Sequence, residues 1–338
     1  MRFMLARSSH LRTALQAWMV LWSLCSALAA DGKLEVRFFN VGQADAVLIT
    51  CPDAKHRMLI DAADTRYPNS SEWFKAELQK ELKGKPSRLA LVVASHPHAD
   101  HIGNMQWVLE HFEVGTYVDN GQKTDAAGFG RLEALRRQLV KAGKLKYVDG
   151  KKSSFSRLDF CAEHGVEVEI FAPWAVSELS NTNDRSVAVR LQHGKKSFLF
   201  VGDMEEKAEK VMLERFDDQQ RKKLDVDVLK VGHQGSDTSS SVAFINAVSP
   251  QIAIVSCGER GVGTNTGYKH PRLSTVRHYS DWFKNHFPSV HAGSRLVWAY
   301  EPAQKQWKQQ SRPEGLWLTV VDGSVTVRSN GQELEVVK

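Results

Sequence analysis

Three imidazoles and a carboxylate fall within six residues at His96-Pro97-His98-Ala99-Asp100-His101. Imidazole and carboxylate together suit ions such as Zn, Mn or Fe. In an extended loop alternate side chains point the same way, so His96 and His98 can share one ion. Asp100 and His101 then face a second point nearby. Two further candidates follow apolar runs: Asp203 after Phe198-Leu199-Phe200-Val201-Gly202, and His233 after Val228-Leu229-Lys230-Val231-Gly232. Alone, Asp203 also reads as a helix cap and His233 as a loop histidine. Beside the His-rich loop both read as metal ligands, with Asp203 bridging. Two cations ~3.5–4 Å apart acidify a shared water, so hydroxide is the nucleophile and neither Ser nor Cys is needed for attack. On this reading Asp100 binds metal and orients the hydroxide. His270, in Gly267-Tyr268-Lys269-His270-Pro271, contacts substrate or leaving group. Asp61 either fixes an imidazole tautomer from behind or simply closes a strand. Ser236 and Lys230 are candidate contacts to an anionic group, and Lys230 reads equally well as a solvated strand-edge lysine.

These side chains need strand ends to hold them. Residues 34–39, 46–50 and 58–60 read as strands, the last ending at Asp61. Residues 89–94 form the continuous apolar run of a buried strand and deliver the His-rich loop. Further strands are expected at 116–118, 166–171, 187–192, 197–201, 226–231 and 252–256. Helical patterns cover 72–82, 105–112, 131–142, 205–216 and 273–283. The tail reads as strands at 296–300, 316–321, 324–328 and 333–337, with Asp322-Gly323 and Asn330-Gly331 as hairpin signals. The expected architecture is an α/β sandwich over residues 30–290, with a β meander at 291–338 packed on the same domain.

The chain has 338 residues, 42% hydrophobic and 25% charged, ordinary for a globular protein. A mean hydropathy of −0.36 excludes a polytopic membrane protein. The one long apolar stretch lies at the N-terminus. It follows Arg2, Arg7 and Arg12, contains Ala27-Leu28-Ala29, and has no acidic residue before Asp31. Residues 1–29 therefore read as a cleaved signal, shorter than the ~20 residues of a span. A periplasmic or secreted protein, not inserted in the membrane after cleavage, is expected. Losing those three arginines would bring the net charge from +6 to +3, too little to argue for nucleic acid from charge alone. Cys51, Cys161 and Cys257 remain, allowing at most one internal disulfide. Their spacing matches no thiolate metal cluster, and they read as small core residues.

Asp61, the HxHxDH loop, Gly202-Asp203 and His233, in that order, resemble the metallo-β-lactamase superfamily over roughly residues 34–278. The resemblance implies an αββα sandwich with metals at one edge of the paired sheets. Within it, Asn40-Val41-Gly42-Gln43-Ala44-Asp45, Asn183-Asp184-Arg185-Ser186, Lys230-Val231-Gly232-His233-Gln234-Gly235-Ser236 and Tyr268-Lys269-His270-Pro271 resemble the hydrolase domain of ComEC-type DNA-uptake channels. That domain reads DVGQGD, NDxS, KVxHHGS and Y-x-HP. Here Asn40 replaces the first Asp, Ala44 a Gly and Gln234 the second His. The channel's transmembrane region has no counterpart in this sequence, so a role in DNA uptake does not follow.

Many superfamily members supply a third His to the first metal shortly before the bridging Asp. This chain offers Thr182, Asn183 and Asp184 there. Asn183 or Asp184 is expected at the first metal, as ligand or through a water, which leans towards Mn; alternatively Asp184 caps a turn. The resemblance implies an exported hydrolase with two divalent ions, Zn or Mn, acting on phosphodiesters or nucleic acid. A β-lactamase or other amide or lactone hydrolase is the alternative, and a non-catalytic binding protein on this fold the third reading. Residues 136–157, with eight basic side chains and one acidic, either attract a phosphate backbone or form a solvated helix face and loop.

Overall fold

A computed structural model describes residues 32–83, 87–124, 128–172, 179–287 and 295–337. The expected export segment lies outside these residues. Alternating strands build a two-faced first sheet from β1 (Leu34–Phe38), β2 (Val47–Thr50), β3 (Arg57–Ile60), β4 (Arg88–Val93), β5 (Glu113–Asp119) and β6 (Lys146–Asp149). Leu34, Val36, Phe38, Val47, Ile49, Met58, Ile60, Leu91 and Val93 join one buried cluster, whereas Leu48, Leu59 and Val92 join another. That is the period of two expected when successive side chains leave opposite faces.

The first cluster continues into a second sheet of β7 (Arg157–Cys161), β8 (Val166–Phe171), β9 (Ala188–His193), β10 (Lys196–Phe200), β11 (Val228–Lys230) and β12 (Ile252–Val255). Phe38 stacks on Phe200 between the sheets, ring centroids 5.9 Å apart. The second cluster lies under the helices Ser70–Leu82, Met105–His111 and Phe129–Lys141, through Phe74, Leu78, Met105, Val108 and Leu132. Met212, Phe244 and Phe283 anchor the helices Glu206–Arg215, Val242–Val248 and Leu273–His286 to the second sheet. The expected αββα sandwich is present.

Strands β3 to β6 run parallel to one another, as do β10, β11 and β12. Ligands of open α/β sheets gather beyond the carboxyl ends of such strands. The loops after β3, β4, β10 and β11 carry Asp61, the His-rich segment, Asp203 and His233.

The tail has the expected strands but shares them out. β13 (Arg295–Glu301) and β14 (Gln306–Arg312) form a separate hairpin, and β15 (Leu316–Leu318) pairs with β12. β16 (Val325–Ser329) and β17 (Leu334–Val337) extend the first sheet beside β1, turning at Asn330-Gly331. Asp322-Gly323 makes no hairpin, because β15 and β16 lie in different sheets. Residues 319–321, expected in a strand, instead enter a helical turn, Thr319–Asp322. The Asp322 carboxylate accepts from Leu318 N and Arg312.

Two of the cysteines read as core residues are joined. Cys51 and Cys161 form a disulfide, Cα atoms 6.1 Å apart, linking the ends of β2 and β7 across the two sheets. Cys257 is a buried free thiol. Among the described residues no helix is long and apolar enough to cross a membrane.

Candidate metal centre

Asp61 organises the His-rich loop from behind. Its Oδ1 accepts from Ser95 N at 2.8 Å, and its Oδ2 from Ser95 Oγ and His101 Nδ1, each at 2.8 Å. With its proton given to Asp61, the Ser95 hydroxyl accepts from His96 Nδ1 at 3.1 Å. Both imidazoles therefore carry their proton on Nδ1 and turn Nε2 inward. His98 Nδ1 lies 3.0 Å from His96 Nε2, two ring nitrogens converging on one point. Burial and the neighbouring His101 push the His96 pKa well down. Burial acts on His101 the same way, but Asp203 and Asp61 outweigh it and raise its pKa well above the ordinary value.

The second sheet presents Asp203 opposite. The turn at Gly202 has φ +56, and a Cβ there would lie 2.8 Å from Ser186 Oγ and 2.9 Å from Ser95 Cβ, so only glycine fits. Asp203 Oδ2 lies 3.1 Å from His101 Nε2 and 3.8 Å from both His96 Nε2 and His233 Nε2. Burial alone would raise its pKa; the surrounding imidazoles hold it well below the usual carboxylate range. Two three-residue groups result, His96–His98–Asp203 and Asp100–His101–Asp203, with ligand atoms within 4.8 Å of one another in each. Asp203 belongs to both.

His233, which the sequence suggests as a metal ligand, is in neither group, although its Nε2 approaches Asp203 and it lines the same cavity. His233 and Gln234 both adopt left-handed backbone, φ 46 and 53. This turn sends the two side chains to different places. His233 Nδ1 lies 3.2 Å from Glu205 Oε1 and 3.0 Å from Thr238 Oγ1, and its Nε2 3.5 Å from Asn183 Nδ2. Gln234 Nε2 instead lies 2.8 Å from Asp100 Oδ2 and 3.3 Å from His101 Nε2.

Asn183 and Asp184 also part company. Asn183 lines the cavity and gives Nδ2 to Glu205 Oε1, while its buried Oδ1 has no hydrogen-bond partner. Asp184, expected as an alternative ligand, faces away; its Oδ1 accepts from Glu205 N and Ala208 N, capping the Glu206–Arg215 helix. Lys230 is neither a substrate contact nor a solvated lysine. It is 3% exposed, and its Nζ sits 2.5 Å from Asp45 Oδ2 behind the histidines.

Residues 39–259 match the Metallo-beta-lactamase superfamily. The chain belongs to that superfamily. It is 26% identical over 270 residues to ComE operon protein 3 of Bacillus subtilis, covering 77% of this chain and 32% of that protein. With Competence protein ComA of Neisseria gonorrhoeae it shares 30% over 191 residues, 54% of this chain and 21% of the relative. The chain thus spans about a third or less of the length of these relatives. A solved structure, the CmlA beta-hydroxylase E377D mutant, aligns over 87% of this chain and 54% of its own at 15% identity, with a TM-score of 0.45.

In this superfamily member the metal-site groups open on a cavity of about 490 Å³, lined by His98, Asp100, Asp203, His233, Ser236 and His270 among others. The donor set fits a divalent ion: imidazole and carboxylate converge, and the buried Oδ1 atoms of Asp203 and Asn183 have no partner. His270 Nδ1 lies 3.1 Å from Gln43 Nε2, and burial with nearby His233 and Arg272 takes its pKa down to about 3. Ser236 lines the cavity, its Oγ 3.0 Å from Thr238 Oγ1. Arg66 and Arg272 also line it. They escaped the sequence analysis, as did Ser95 and Glu205, because each lies outside the histidine and strand-end patterns; Gln43 was visible only as part of the Asn40–Asp45 motif, with no role. The basic stretch at 136–157 contributes nothing to this cavity. Within it, Arg136 pairs with Glu133, Lys152 with Asp149 and Arg157 with Glu167.

Proposed function

We propose that this chain is an exported, metal-dependent phosphodiesterase acting on nucleic acid or a related phosphodiester. The observation that carries this reading is the presence of two guanidinium groups, Arg66 and Arg272, in the same cavity as the His/Asp groups. Arginine's planar fork matches the paired oxygens of a phosphoryl group. Arg66 is held by Asp64, Nε on Oδ1 at 3.0 Å and Nη2 on Oδ2 at 3.1 Å, and its Nη2 lies 3.7 Å from Asp100 Oδ1. The relation to competence proteins supports a nucleic-acid substrate. The signal-like residues 1–29 and the Cys51–Cys161 bridge support export, since disulfides persist in oxidising compartments.

His96, His98 and Asp203 would hold a divalent ion, which when bound would supply an acidified water and polarise a phosphoryl oxygen. The remaining tasks fall to this chain's side chains. Asp100 accepts a proton from water in the cavity and fixes the direction of attack. Arg66 and Arg272 hold the non-bridging oxygens. Gln43 donates to His270 Nδ1, so the proton of His270 sits on Nε2. With a pKa of about 3 this imidazole is neutral at physiological pH and donates a hydrogen bond to the leaving oxygen.

Zn- or Mn-loaded protein should release nitrophenol from bis(p-nitrophenyl) phosphate and leave a chromogenic cephalosporin closed. Arg66→Ala and Arg272→Ala should each raise KM roughly tenfold, the scale of one charge-assisted hydrogen bond. Cephalosporin opening without diester cleavage would refute the proposal.

A further inference from the structure

Two residue groups share Asp203, but only one of them is open to a cation. In the group Asp100–His101–Asp203, the Gln234 amide nitrogen lies 2.8 Å from Asp100 Oδ2 and 3.3 Å from His101 Nε2. An amide NH₂ is a donor only, so it satisfies the carboxylate as a cation would and cannot itself ligate one. The direction of this amide is set by a chain of hydrogen bonds that begins at the backbone. Gly258 N donates to Gln43 Oε1 at 3.0 Å, so Gln43 Nε2 must face the other way. That NH₂ donates to Gln234 Oε1 and to His270 Nδ1. With Oε1 taken, Gln234 can present only Nε2 to Asp100 and His101. Turning its oxygen inward would set NH₂ against NH₂ at Gln43, and turning Gln43 as well would strand the Gly258 N–H against a donor. Gln43 and Gln234 are at most 1% exposed, so water does not relieve either mismatch.

The group His96–His98–Asp203 differs. Among the described residues no side-chain amide hydrogen-bonds to its ligand atoms, and Asn183, which lines the same cavity as His98 and Asp203, has a buried Oδ1 with no partner. We infer that this chain holds one divalent ion, at His96, His98 and Asp203, and that the Gln234 amide, locked by Gln43, fills the second position. The inference rests on reading the His/Asp cluster as a metal site. It holds whichever bond the enzyme cuts, so a failed diester assay leaves it standing.

The test is a metal count. Protein stripped with a chelator, reloaded with Mn²⁺ and freed of excess metal should hold one ion per chain by elemental analysis, with the paramagnetic resonance signal of an isolated ion. Gln234→His and the isosteric Gln234→Glu should each hold two, with the signal of a spin-coupled pair. Wild type holding two ions, or none, overturns the inference. So does a count that stays at one in both variants when their circular dichroism matches wild type.

Discussion

The two halves of the centre use the same ligand chemistry and end differently. On the His96–His98 side, ring nitrogens converge 3.0 Å apart, and Asn183, which lines the same cavity, has a buried Oδ1 with no partner. On the Asp100–His101 side, the corresponding space carries the Gln234 amide. Similar ligands alone do not make equivalent sites. What a neighbouring side chain can donate or accept decides which half is open to a cation, and here a hydrogen-bond relay from Gly258 makes that choice.

Asp203 is common to both halves, so its loss should have the largest effect. Asp203→Ala is expected to bring metal content below detection and to cut hydrolysis by ~10³-fold or more, the scale of losing a key transition-state interaction. Retained metal in this variant would separate the halves and break the comparison.

Glu209 offers a control that moves stability without touching either half. It accepts from Ser240 N and Ser241 N, and burial raises its pKa from 4.5 to about 7. The folded chain therefore keeps a proton that the unfolded chain has released between those values, so stability falls as pH rises from about 4.5 to 7. The total is up to roughly 3 kcal/mol, at ~1.4 kcal/mol per unit. Denaturant melts across this range should show that slope in wild type and a flatter one in Glu209→Gln, with metal count unchanged.

Glu205 orients His233 and holds the Asn183 amide. Glu205→Gln should weaken metal retention roughly 10- to 100-fold, as losses of outer hydrogen-bond partners do. Competition with a metallochromic chelator measures this, and unchanged affinity would show that the Glu205–His233–Asn183 contacts do not support the ion. The smallest effect separates two adjacent residues. Asp184→Ala should lower stability by about 1 kcal/mol through loss of a helix cap and leave metal affinity alone. Asn183→Ala should do the reverse, weakening metal affinity with little change in the melt.

The part of the centre that was most legible in the sequence is the single loop that feeds both halves. His96, His98, Asp100 and His101 are adjacent in the chain and follow an apolar strand, so residue type and spacing sufficed. Asp203 followed from its position after β10. The Gln234 contact depends on two consecutive left-handed residues that no periodicity encodes. Arg66, Gln43 and Asp45 reach the site from loops of the first sheet, and the Asp45–Lys230 pair joins segments distant in sequence. The Cys51–Cys161 bridge spans a sequence separation of 110. For the fold, apolar strands were plain. β6, β7 and β14 were not, because strands such as Gln306–Arg312 carry mostly polar side chains and lack the alternation that marks a half-buried strand.

The most direct measurement is anomalous diffraction at the Mn or Zn edge from crystals grown with that ion. The account predicts one peak per chain, bounded by His96, His98 and Asp203, with the Gln234 amide still between Asp100 and His101. A second peak of comparable height at Asp100 and His101, with Gln234 displaced, would contradict it.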